Sequence, residues 1–62
     1  MNEIKKLKKY YMKIFDRNNI LWKEFLKLYN EAVAEGSEIP AEVAMIRFRE
    51  KYIETDMGWE EK

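Results

Sequence analysis

The chain has 62 residues, with twelve Lys or Arg balanced by twelve Asp or Glu and with no Cys and no His. A chain this short buries only about 60% of its unfolded surface, so it holds one domain at most and folds with a narrow margin. Lacking Cys and His, it can build no disulfide framework, no zinc–thiolate site and no Ser-His-Asp or Cys-His arrangement, and nothing in it argues for an oxidising compartment.

Apolar residues make up 47% and aromatics 15%, which is the composition of a folding chain even with 39% charged residues. The longest apolar run, Val43 to Ile46, falls far short of the roughly 20 residues of a membrane span or the 7 to 15 of a signal-peptide core. A cytoplasmic protein is expected. Charge is segregated: residues 1–30 hold eight Lys or Arg against three acids, and residues 31–62 hold four against nine. Such a pattern fits a basic arm for an anionic partner, and equally an antiparallel fold whose halves attract.

From the N-terminus, Ile4, Leu7, Tyr11, Ile14, Leu21, Phe25, Leu28 and Ala32 recur at spacings of three and four, which predicts helix over most of residues 3–35. Lys6, Lys9, Lys13 and Arg17 line the opposite side of the first helix, flanked by Lys5 and Lys8. Cations near a helix N-terminus oppose the macrodipole. Three readings fit this stripe: a solvated face, a docking face for an acidic protein or nucleic-acid phosphates, or a basic helix on anionic membrane.

Asp16-Arg17-Asn18-Asn19 is a cluster of poor helix formers. Read as a turn, it gives an all-α fold, a small antiparallel three-helix bundle with helices at about 2–16, 19–35 and 40–57. The apolar register does not reset across it, however, and only Asn18 interrupts the seam. A single Asn at a core position of a coiled coil fixes register. The alternative is therefore one long helix over 2–35 in a helical hairpin that dimerises into a four-helix bundle.

Gly36 stands where a helix-closing glycine belongs, and Pro40 suits the first position of the next helix. That last helix is expected to reach Met57, with Gly58 closing it and Trp59 folding back toward Ile53. Residues 1–58 then form one domain and 59–62 a frayed tail.

The last helix carries two apolar faces. Ile39, Val43, Ile46, Ile53 and Met57 cluster on one side and are assigned to the core; Ala41, Ala44, Met45, Phe48 and Tyr52 fall nearly opposite. A small bundle needs one stripe per helix, so the second is the expected partner-binding surface, with Phe48 and Tyr52 as anchors. The competing reading reverses the two faces.

Ser37 is the only Ser and Thr55 the only Thr, the two glycines lie far apart, and Glu31 with Glu35 and Glu50 with Glu54 pair carboxylates without a third ligand. Neither an enzyme nor a cofactor, metal or small-molecule substrate is expected. What remains is a small protein-interaction module, an adaptor, inhibitor or assembly factor that binds a protein partner or itself. A non-specific nucleic-acid binder using the basic stripe is the alternative, and a membrane-surface role is disfavoured.

Overall fold

The computed structural model describes residues 2–62. Three helices, α1 (Asn2–Ile14), α2 (Asn19–Ala34) and α3 (Pro40–Lys51), are followed by an antiparallel hairpin of β1 (Tyr52–Thr55) and β2 (Gly58–Glu61). The chain is thus mostly helical but not all-α.

The cluster at 16–19 is a turn, and the long-helix hairpin is set aside. Asp16 and Arg17 both take left-handed backbone, at φ 53° and 58°. The amide of Arg17 donates to the Met12 carbonyl at 2.6 Å and that of Asp16 to the Lys13 carbonyl at 3.5 Å, the paired bonds of a Schellman ending. Asn18 then caps α2, its side-chain oxygen accepting from the amides of Ile20 and Leu21 at 2.9 and 3.3 Å. A residue spent on capping cannot also sit in a helix–helix seam.

The end of α2 repeats the motif with a residue suited to it. Gly36, at φ 84°, bonds back to Val33 at 2.9 Å while Ser37 bonds to Ala32 at 3.0 Å. Pro40 opens α3 as expected.

Beyond Lys51 the helix expectation fails. Tyr52, Ile53 and Thr55 are aromatic or β-branched and favour a pleated strand, and Tyr52 already has extended backbone, φ −127° and ψ 150°. Thr55 ties the turn, accepting from the Met57 amide at 3.2 Å and donating to the Gly58 carbonyl at 2.9 Å. Gly58, at φ 110°, takes the positive-φ position of this hairpin rather than a helix end. The register pairs Tyr52 with Glu61, Ile53 with Glu60, Glu54 with Trp59 and Thr55 with Gly58. Residues 59–61 are therefore strand and not a frayed tail.

A two-stranded hairpin alone is marginal in water, and here Trp59 anchors it. Its ring stands edge-on to Phe48 and Phe15, with centroids 5.1 and 5.9 Å apart, and its indole N–H donates to the Ile14 carbonyl at 3.0 Å. Beneath it, Phe15, Phe25 and Phe48 are fully buried. Phe15, from the turn after α1, joins the other two, at 5.7 Å from Phe25 and 4.8 Å from Phe48. Leu21, Trp22, Leu28, Tyr29, Ala32 and Ala44 complete the core, and among the described residues no polar or charged side chain is buried.

Candidate functional site

The two faces of α3 are reversed relative to expectation. Ala44 and Phe48 are 0% exposed, and Ala41, Met45 and Tyr52 pack partly buried against the same core. None of the five forms a free docking surface. The small side chains at 41 and 44 let neighbouring helices approach closely, and the Phe48 ring stacks on Tyr52 with centroids 4.7 Å apart. Branched side chains at 39 and 46 would hold helices apart, and they face outward instead, Ile39 at 55% and Ile46 at 61% exposure with Val43 half-buried between them. Ile53 and Met57 lie in the hairpin and its turn and do not share the α3 face.

This outer stripe adjoins an open groove of about 410 Å³ lined by Leu7, Tyr29, Ile39, Pro40, Ala41 and Glu42 among others. Seven residues apart on the flank nearer α1 stand Glu42 and Arg49, both exposed.

On α1, Lys6, Lys9 and Lys13 are exposed along the helix side away from the core, with Lys5 and Lys8 beside them. Arg17 is exposed too but lies in the left-handed turn, so it ends the helical stripe rather than continuing it. Tyr10, which the charge pattern did not single out, is 62% exposed next to this row, and its ring stands edge-on to Tyr11 at 4.9 Å. Its spacing from Lys6 and Lys13, four and three residues, was the available signal.

The ion pairs do not join the basic half of the chain to the acidic half through α1. Arg47 forks onto Glu35 at 2.7 and 3.1 Å, and Lys51 meets Glu24 at 2.8 Å. Both pairs tie α3 to α2 or its C-cap. The Arg47 hydrogen bond lowers the Glu35 carboxyl below its ordinary range, and Glu35 in turn raises Arg47. Glu24 raises Lys51 in the same way. Burial, with help from neighbouring Tyr10 and Glu42, raises the Tyr11 phenol. No cation of α1 is in an ion pair among the described residues.

The apolar side of α1 is committed as well, since Ile4, Leu7, Tyr11 and Ile14 pack against the core. Insertion into a membrane would require α1 to leave the bundle. No helix among the described residues is long and apolar enough to cross a membrane. No group of three His, Cys, Asp or Glu among them is placed to hold a metal ion. The sequence matches no protein-family model, and neither a curated protein nor a solved structure matches the chain.

Proposed function

We propose that the chain is a non-enzymatic protein-interaction module of the cytoplasm, acting through the outer stripe of α3. The observation that carries this reading is that Ile39 and Ile46 are exposed, with Val43 half-buried between them, in an apolar row at helical spacing on the side of α3 away from the core. Scattered exposed aliphatics need no explanation, whereas a row beside an apolar groove marks an interaction surface.

The occupant it best fits is the α3 of a second copy. When two identical helices pack antiparallel about a two-fold axis, residues on the same flank meet each other. Glu42 of each copy then lies beside Arg49 of the other, a self-complementary arrangement. A row of three aliphatic side chains, one of them half-buried, is a small part of the ~800 Å² per partner of a standard stable interface, so the association is weak and concentration-dependent.

Sedimentation equilibrium over a concentration series tests it. The parent should show rising mass, Ile46→Glu should remain monomeric, Arg49→Glu should weaken pairing, and Glu42→Arg combined with Arg49→Glu should restore it. A parent that stays monomeric at the highest concentrations, or an Ile46→Glu variant that associates equally, overturns the reading.

A further inference from the structure

From the outer face of α1 we infer a second, independent binding site, one for single-stranded nucleic acid, with Lys6, Lys9 and Lys13 on its phosphates and Tyr10 under a base. The cations are all exposed, and none is neutralised by an ion pair among the described residues. Lys13, in the last turn of α1, complements the helix dipole, whereas Lys6 and Lys9 gain nothing from it. The acids that do form ion pairs, Glu24 and Glu35, are held by Lys51 and Arg47 of α3.

The three lysines advance along the axis in steps of about 4.5 and 6 Å, at 1.5 Å per residue, giving a line of charge and not a point. Arg17 adds a further cation past the helix end. Tyr10 distinguishes a nucleic acid from a merely acidic partner. An exposed aromatic ring within a basic row is a stacking platform for an unpaired base. Its edge-on contact with Tyr11, which is itself stacked on Phe25 at 4.4 Å, braces it against the core. Stacking on the exposed Tyr10 ring needs a base that is not already stacked within a duplex, so a flexible single strand lying along the outer side of α1 is the form that fits.

Fluorescence anisotropy with a labelled oligothymidylate, titrated at several salt concentrations, reads the site directly. Three to four phosphate contacts predict a log–log salt slope of about −2 to −3, at roughly 0.7 per phosphate. Changing Lys6, Lys9 and Lys13 together to Ser should reduce that slope by about 2. Tyr10→Ala should weaken the single strand about five- to a hundredfold with the slope unchanged, and Tyr10→Phe should bind like the parent. All of these positions are exposed, and circular dichroism checks that each variant is folded. No binding at low salt, polyglutamate competing as tightly as the oligonucleotide, or full affinity in Tyr10→Ala would overturn the inference. The first outcome removes any anion site, and the second reassigns the face to an acidic protein.

Discussion

Trp59 is the residue on which the end of the bundle closes, and replacing it separates its two contributions. Trp59→Phe keeps a ring against Phe15 and Phe48 but removes the indole donor to the Ile14 carbonyl, which lies 45 residues away in sequence. That carbonyl is in the last turn of α1, beyond the reach of the helix's own amides. Losing one partly buried hydrogen bond costs about 1 kcal/mol, and for a domain of this size that lowers the melting temperature by roughly 4–8 °C.

Trp59→Ala also removes the ring. Full burial would put the loss at about 3–5 kcal/mol; Trp59 is half-buried, which brings it to about 2–3 kcal/mol, including two edge-on aromatic pairs at about 0.5–1.5 kcal/mol each. A chain of 62 residues has a total stability of about 3–9 kcal/mol at roughly 0.05–0.15 per residue. The alanine variant therefore gives up a large fraction of the whole. Thermal melts followed by far-ultraviolet circular dichroism measure both. If Trp59→Ala melts within a degree or two of the parent, the hairpin is not part of the cooperative core and the placement of β2 is refuted.

Asn18→Leu should lower stability by about 1 kcal/mol, because it removes the cap on the Ile20 and Leu21 amides; a higher melting point with increased mass would instead revive the long-helix dimer. Acid titration of stability should show a shallow loss as pH falls below about 4.5, the ordinary value for Glu35. The sign follows from the lowered folded-state pKa: the stabilisation is present above the unfolded value and disappears as pH drops through the folded one. Glu35→Gln should flatten that limb, and an unchanged profile in the variant would show that the Arg47 pair contributes nothing.

The parts of this fold that sequence reveals are those set by local chemistry. Gly36 and Pro40 each have a conformational role independent of distant contacts, and the structure uses both as expected. The turn after α1 is ambiguous in sequence because its two left-handed positions are occupied by Asp16 and Arg17 and not by glycine. The end of α3 is hidden in the sequence for a different reason: Ile53 and Met57 continue a helical apolar period, and no breaker intervenes before Gly58. The strand wins through Trp59, whose docking on Phe15 and Phe48 is a tertiary contact invisible to periodicity. The choice between the faces of α3 likewise depended on close packing. Hydrophobicity favours the isoleucines, while the alanines at 41 and 44 and the ring at 48 match the space beside α2 and α1.

The hairpin has a further consequence for the placement of charge. Two strands leave two outer edges of unpaired backbone groups, which are templates for edge-to-edge association. Here each strand is only four residues long, and Glu54, Glu60 and Glu61 lie within them, with Asp56 in the turn. Two such edges brought together would repel. The acids of the C-terminal half thus oppose edge-to-edge stacking of the sheet, a role separate from that of Glu24 and Glu35, which tie α2 and its C-cap to α3.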